Sequence, residues 1–250
     1  MDLGIRGKRA LVTAASKGLG RGCALALAEA GVDLVINARG AEALAATAQV
    51  LRGLGVQVTE VVADVTTEAG QAAVLAAAGP VDILVTNAGG PPPGSWENWG
   101  REDYMRAIDA NMLTPIALMT ALLPGMVAQR WGRVVNITSA SVKAPVAVLG
   151  LSNMARTGLT GFVAGVARQV AGQGVCINNL LPGMHDTDRA AALDGGDAAV
   201  RAARQAGIPA RRYGTATEFG AMCAFLCSAQ AGFIVGQNIL LDGGAGNATL

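Results

Sequence analysis

The chain has 250 residues, 52% of them hydrophobic and 15% charged, with 19 basic against 18 acidic side chains for a formal charge of +1. That balance excludes an electrostatically driven nucleic-acid or anionic-membrane binder, and the apolar fraction suffices for one large core. Aromatic residues make up only 4%, so close helix–sheet packing through alanine and glycine is expected in place of an aromatic-lined core.

The stretch Arg9-Ala-Leu-Val-Thr-Ala-Ala-Ser-Lys-Gly-Leu-Gly20 sets the plan. Arg9–Thr13 reads as a short apolar strand and Ala14–Gly20 as a turn of small residues. From Leu19 a helical stripe begins, carrying Leu19, Cys23, Leu27 and Ala30. Strand, glycine-bearing turn and helix form the layout of a dinucleotide site, because the helix N-terminus offers unpaired N–H groups to a pyrophosphate. The G-x-G-x-x-G spacing is absent. Ala14 carries a methyl within this turn, tolerated if φ stays negative.

Further elements follow in a βα rhythm. Val32–Asn37 reads as a strand, Ala41–Leu54 as a helix, Val56–Ala63 as a strand, and Thr66–Ala78 as a helix capped by Thr66 or Thr67. Val81–Thr86 is a strand leading into the loop Asn87–Gly94. Glu102–Gln129 contains a long helix, with Pro115 as the point where it kinks or breaks. Arg133–Thr138 is a strand, Leu151–Ala171 a helix and Gly174–Leu180 a strand ended by Pro182-Gly183. Asp188–Ala206 reads as a polar helical excursion, Thr217–Ser228 as a helix and Asn238–Leu241 as a last strand. Alternating strands and helices predict a doubly wound, Rossmann-like parallel sheet with helices on both faces. One domain over 1–250 is expected, with a substrate-covering excursion at 188–212. Cys23, Cys176, Cys223 and Cys227 lack metal-ligand spacing and read as core positions, so no metal is expected. No apolar leader or bilayer-length span stands out, and a soluble cytoplasmic protein is expected.

Ligands of open α/β sheets sit beyond the carboxyl ends of the strands. The first strand delivers Thr13, Ser16, Lys17, Gly18, Leu19 and Gly20 there. The second ends in Asn37-Ala38-Arg39, without the carboxylate that suits a ribose 2′-hydroxyl. Lys17 and Arg39 instead suit a 2′-phosphate, which favours NADP over NAD; the alternative for both is a solvated surface cation.

The motifs T-A-A-S-K-G-L-G, Asp64-Val65, Asn87-Ala88-Gly89, Pro182-Gly183 with Thr187, and Asp242-Gly243-Gly244 follow one another along the chain. In this order they resemble the short-chain dehydrogenase/reductase family, most like bacterial 3-oxoacyl-thioester reductases in layout. The resemblance implies that Asp64 meets the adenine amino group and that Thr187 holds the nicotinamide carboxamide. It also implies homotetramers built through two long helices and the C-terminal strand.

The family's catalytic set is Asn, Ser, Tyr and Lys. Asn111 matches the first and Ser139 the second. Thirteen positions beyond the serine stands Ser152 instead of tyrosine, and four further on stands Arg156 instead of lysine. Thr157-Gly158-Leu159 keeps the family's register downstream. Positions 152 and 156 share one helix face. An arginine stays protonated and cannot act as a base, whereas it can bond ribose hydroxyls. Three functions stay open. The first is an NADP(H)-dependent carbonyl reductase or alcohol dehydrogenase acting on a small-molecule substrate. Its proton comes from Ser152, Ser139 or water, with Lys143 and His185 as further donors. The second is a reductase of an iminium or activated alkene. The third is a silent cofactor-binding homologue. The arginines of the excursion, Arg189, Arg201, Arg204, Arg211 and Arg212, either greet an anionic substrate or carrier or form a solvated helix face.

Overall fold

The computed structural model describes residues 1–247. Seven strands form one parallel sheet: β1 (Arg9–Val12), β2 (Asp33–Ala38), β3 (Val58–Val62), β4 (Ile83–Thr86), β5 (Gly132–Ile137), β6 (Val175–Pro182) and β7 (Asn238–Leu241). Their spatial order is 3-2-1-4-5-6-7. The chain reverses direction across the sheet between β1 and β4, which pair directly, and this opens a crevice at their carboxyl ends. Doubly wound α/β is therefore the observed architecture.

Side chains alternate strictly along the central strands. Ala10, Val12, Leu34, Ile36, Ile83 and Val85 enter one core, while Leu11, Val35 and Leu84 enter the other. The first core is covered by α1 (Gly18–Glu29), α2 (Ala41–Arg52) and α9 (Ala216–Leu226). The second is covered by α3 (Glu68–Ala78), α5 (Thr114–Ala128) and α6 (Gly150–Val170). Leu19, Cys23, Leu27 and Ala30 all lie on the first core, as their spacing predicts. All four cysteines are buried and unbridged. Thr67 caps α3, its hydroxyl accepting the Gly70 N–H at 3.0 Å.

Two segments differ from expectation. The long helix expected over 102–129 is α4 (Arg101–Ile108), a wide turn with i→i+5 bonding at Asp109–Leu113, and α5. Pro115 follows directly on the wide turn, and the backbone stays helical through Leu113 and Thr114, so the break expected at the proline takes the form of this local change in hydrogen bonding. The excursion is two helices, α7 (Asp188–Leu193) and α8 (Ala198–Gly207), joined by Gly195 and Gly196 at positive φ. The run Arg101–Ala128 is also long and apolar enough to cross a bilayer by length and composition, a feature absent from the sequence reading. In the fold its Leu118, Met119, Leu123 and Met126 pack into the second core.

Candidate active site

The turn after β1 is built around a close approach. A Cβ on Gly20 would overlap the carbonyl oxygen of Ala14 and stand 2.8 Å from Asn87 Nδ2. Only glycine lets α1 begin so near the turn. Ala14 itself has φ +47°, so the condition of a negative φ is not met. The backbone keeps the left-handed bend of a glycine even with a methyl attached. Gly18 is also left-handed, at φ +56°. Lys17 stands at the N-cap of α1 in extended conformation, and neither a side-chain cap nor an acidic residue occupies the first turn. The N-terminal N–H groups of α1 are thus left for a ligand, which fits a pyrophosphate.

Thr13 and Asn87 fasten the ends of β1 and β4 together. Thr13 Oγ1 donates to the Asn87 carbonyl at 2.8 Å, and the Asn87 N–H donates back to Thr13 Oγ1 at 2.8 Å. Asn87 Nδ2 reaches the Ala14 carbonyl at 3.4 Å. Ala88 and Gly89 continue this strand end, with Gly89 open to solvent. Ser16 is tied down through its carbonyl, which accepts Thr47 Oγ1 at 3.0 Å. Leu19 is partly buried against the first core. Pro182 ends β6, and Gly183 donates to the Leu241 carbonyl at 2.8 Å with its Cα side packed on Asp242.

The two cations assigned to a 2′-phosphate are not free of carboxylates. Lys17 pairs with Asp188 at 3.1 Å, and Arg39 lies 3.8 Å from Asp64. All four groups are at the surface, where such pairs are weak and exchangeable. Asp64 accepts the Thr66 N–H at 3.0 Å and the Thr66 hydroxyl at 2.8 Å. These bonds, aided by Arg39, hold its carboxyl below the usual range. Val65 is buried, and its carbonyl accepts Thr114 Oγ1 at 3.3 Å. Thr187 caps α7: its hydroxyl donates to the His185 carbonyl and accepts the Ala190 N–H, each at 3.4 Å. The hydroxyl assigned to the carboxamide is thus engaged in a cap, while its methyl faces Gly18.

On the catalytic side, Asn111 lies in the wide turn between α4 and α5, a helix irregularity that often marks function. It is buried; Nδ2 reaches the Ala107 carbonyl at 3.4 Å, and Oδ1 has no partner. The residue lines a cavity of about 200 Å³ together with Gly89, Gly90, Trp99, Asp103 and Leu151. Ser139 Oγ accepts the Ser141 N–H at 3.2 Å. Ser141 Oγ is buried and unpartnered.

Ser152 and Arg156 do meet on one face of α6. Arg156 Nε donates to Ser152 Oγ at 3.2 Å. Arg156 Nη1 donates to the Ile137 and Thr138 carbonyls, both at 2.8 Å, where β5 ends. Arg156 as a whole residue is 7% exposed. Burial, and then the nearby Arg189 charge, lower its pKa to about 10, so it stays cationic at neutral pH. Three of its five donors serve the protein, which leaves Nη2 alone for the ribose contact expected of the whole group.

His185, named as a further donor, is engaged in packing. It is buried, its Nδ1 lies 3.2 Å from the Gly183 carbonyl, and its ring packs edge-on to Phe219 at 5.2 Å. Burial lowers its pKa and keeps it neutral. Lys143 is exposed on the loop after Ser139. Neither tyrosine fills the vacant role: Tyr213 donates to Asp194 at 2.9 Å inside the excursion, and Tyr104 packs beside Trp99. The reading missed Arg189 as an individual. It leaves α7 and crosses to the loop after β4, donating to the Gly90 carbonyl at 3.1 Å and the Pro91 carbonyl at 2.9 Å. Nothing in its sequence surroundings separates it from the other arginines of the excursion.

Comparison with known proteins bears on the family and the fold. Residues 13–246 match a family model described as enoyl-(acyl carrier protein) reductase. The chain is 34% identical over 246 residues to a 3-oxoacyl-[acyl-carrier-protein] reductase FabG of Vibrio harveyi, covering 97% of this chain and 98% of that one. It is 33% identical over 247 residues to the FabG of Escherichia coli, with the same coverage. Among solved structures, an L-sorbose reductase from Gluconobacter frateurii complexed with NADPH and L-sorbose superimposes with TM-score 0.94 at 28% identity, over 99% of this chain and 100% of that one. YwfH, an NADPH-dependent reductase involved in bacilysin biosynthesis, gives 0.92 at 26%, over 97% and 99%. With its sheet order, its glycine turn and these full-length relatives, the chain belongs to the short-chain dehydrogenase/reductase family of NAD(P)-dependent oxidoreductases.

Proposed function

We propose that this protein is a single-domain NADP(H)-dependent reductase of a carbonyl group, in which a serine–guanidinium pair replaces the family's tyrosine and lysine. The observation that carries the reading is the bond from Arg156 Nε to Ser152 Oγ. An aliphatic hydroxyl is a far weaker acid than a phenol, and a cation bonded to its oxygen is the available means of polarising it. Ser139 orients the substrate carbonyl. Ser152 delivers the proton while the fixed charge of Arg156 steadies the negative charge that develops on oxygen. The unpartnered Oδ1 of Asn111 offers an acceptor for water that re-protonates Ser152.

The cofactor, when bound, supplies the hydride. Its pyrophosphate is held at the open N-terminus of α1, and its 2′-phosphate by Lys17 and Arg39 once they leave their exposed carboxylates. NADPH bound in one solved relative, and the NADPH dependence of another, support the phosphorylated form. A soluble, cytoplasmic homotetramer completes the reading; the burial of the apolar α5 face supports the first part, and light scattering tests the last.

The test is kinetic. NADPH is expected to bind at least about tenfold more tightly than NADH, a preference that Arg39→Ala removes. With a reducible ketone, Ser152→Ala is expected to lower kcat about 10²-fold with little change in KM. An unchanged kcat would reject Ser152 as the donor. No affinity for either dinucleotide would reject the whole reading. The weakness of a serine acid favours one second reading, a reductase of an iminium or activated alkene. That reading gains if such substrates outrun every ketone and Ser152→Ala leaves them untouched.

A further inference from the structure

A rung of side-chain hydrogen bonds crosses the sheet at the level where β4 ends, directly beneath the crevice. Thr86, Asn136, Asn179 and Asn238 stand opposite one another on β4, β5, β6 and β7. Thr86 Oγ1 donates to Asn136 Oδ1 at 2.7 Å, Asn136 Nδ2 to Asn179 Oδ1 at 3.2 Å, and Asn179 Nδ2 to Asn238 Oδ1 at 2.8 Å. Asn136 lies inside the rung and is fully buried, its Nδ2 also facing Met119 Sδ at 3.8 Å. Its neighbours on β5 are apolar, Val134 in the second core and Val135 and Ile137 in the first. A buried amide is costly unless its bonds are made, and here both ends of the amide are engaged.

The residues that follow Asn136 give the rung its consequence. The next two carbonyls, of Ile137 and Thr138, each accept Arg156 Nη1 at 2.8 Å. The same guanidinium reaches Ser152 Oγ through Nε at 3.2 Å. Guanidinium is a rigid plane, so fixing Nη1 fixes the direction of Nε. Backbone bonds of a parallel pair run slanted between the strands, and the rung adds a direct tie between opposite residues. That tie fixes how far each strand end projects toward the cleft. We propose, on the serine–guanidinium reading above, that Asn136 is a positioning residue. Held between Thr86 and Asn179, it sets the level of the β5 end and, through the Ile137 and Thr138 carbonyls, aims Arg156 at Ser152. A displacement of about 1 Å at a reacting group costs as much as 10²-fold in rate, so a rung one layer beneath the site reaches the chemistry.

Two readouts on the full-length protein test this. The first is water exchange of the Arg156 Nε–H, followed by NMR of ¹⁵N-labelled arginine, with the signal assigned by its loss in Arg156→Lys. It needs no turnover. The second is NADPH oxidation with a panel of ketones led by ethyl 3-oxobutanoate. Asn136→Leu keeps the size and removes the hydrogen bonds, and is expected to speed the exchange at least about tenfold. It is expected to lower kcat about tenfold with KM for NADPH within about threefold. Val134→Ala, two residues earlier on the same face, weakens the second core without touching the rung, and is expected to leave both readouts within about twofold. If Asn136→Leu does not fold, Thr86→Val carries the test: it removes one donor at constant shape and is expected to give changes of about threefold in the same directions. Exchange and kcat that stay at the wild-type values overturn the proposal. So does a Val134→Ala variant that moves them as far as the rung variant does, which reduces the rung to general sheet stability. A loss of kcat with unchanged Nε–H exchange overturns it as well, because the effect then bypasses Arg156. Faster exchange in the rung variant, with no ketone turned over even by the wild-type protein, removes the reductase reading and leaves the positioning of Arg156 standing.

Discussion

Ala14 keeps a conformation that its side chain resists. At φ +47° its Cβ crowds the backbone, at a cost of about 1–2 kcal/mol. The bend persists because its carbonyl is engaged by Asn87 and pressed by Gly20. Ala14→Gly is therefore expected to stabilise the protein by about 1 kcal/mol, or about 2–4 °C in Tm for a chain of this size. Scanning calorimetry checks this, and a fall in Tm would show that the methyl contributes packing that outweighs its strain. The placement of the glycine turn, Asn87-Ala88-Gly89 and Pro182-Gly183 at strand ends was legible because these features are local. The catalytic side was legible only as residue identities. Arg156 spends Nη1 on carbonyls of β5, Thr187 spends its hydroxyl on a cap, and His185 is packed on Phe219. These partnerships join segments distant in sequence, and residue spacing carries no record of them.

At the scale of elements, α1 and α9 cross at two glycines. A Cβ on Gly22 would overlap the Ala216 carbonyl oxygen, and one on Gly220 would overlap the Gly22 carbonyl oxygen. Gly220→Ala is expected to cost about 1–3 kcal/mol by forcing the helices apart, measurable by urea unfolding. An unchanged midpoint would mean that the crossing relaxes freely. The start of α9 carries a pH signature. Thr215 and Glu218 cap each other's N–H groups, and Arg212 donates to Glu218 at 2.8 Å. The Arg212 bond, then Thr215, lower the Glu218 pKa from 4.5 to about 2. A carboxyl whose folded pKa is depressed contributes stability above its unfolded pKa and loses it as pH falls through the folded value. Glu218→Gln is thus expected to be less stable than wild type at pH 7, with the difference vanishing between pH 4.5 and about 2. A gap that persists at pH 2 would assign the effect to shape, not charge. Strand and helix order was readable from alternation and period. The wide turn at Asp109–Leu113 was not, because an i→i+5 bond leaves the composition of a helix unchanged.

At the scale of the whole molecule, the crevice between β1 and β4 is closed from the far side by the α7 excursion. Two contacts hold it there, Lys17 to Asp188 on the glycine turn and Arg189 to the loop after β4. The first competes with the proposed cofactor, since Lys17 cannot serve Asp188 and a 2′-phosphate equally. Both partners are more than two-thirds exposed, so the pair is worth about 0–1 kcal/mol. Removing it frees Lys17 at that small cost. Asp188→Asn is therefore expected to tighten NADPH by up to about fivefold and to leave NADH within about twofold. The gain should disappear in 1 M salt, where the screening length is about 3 Å and the competing pair is already neutralised. Fluorescence titration of both dinucleotides at low and high salt reads all four affinities. If NADPH and NADH weaken together, the Lys17–Asp188 pair acts as a clasp that keeps the excursion over the bound dinucleotide, and Arg39 is left as the cation that tells the two cofactors apart.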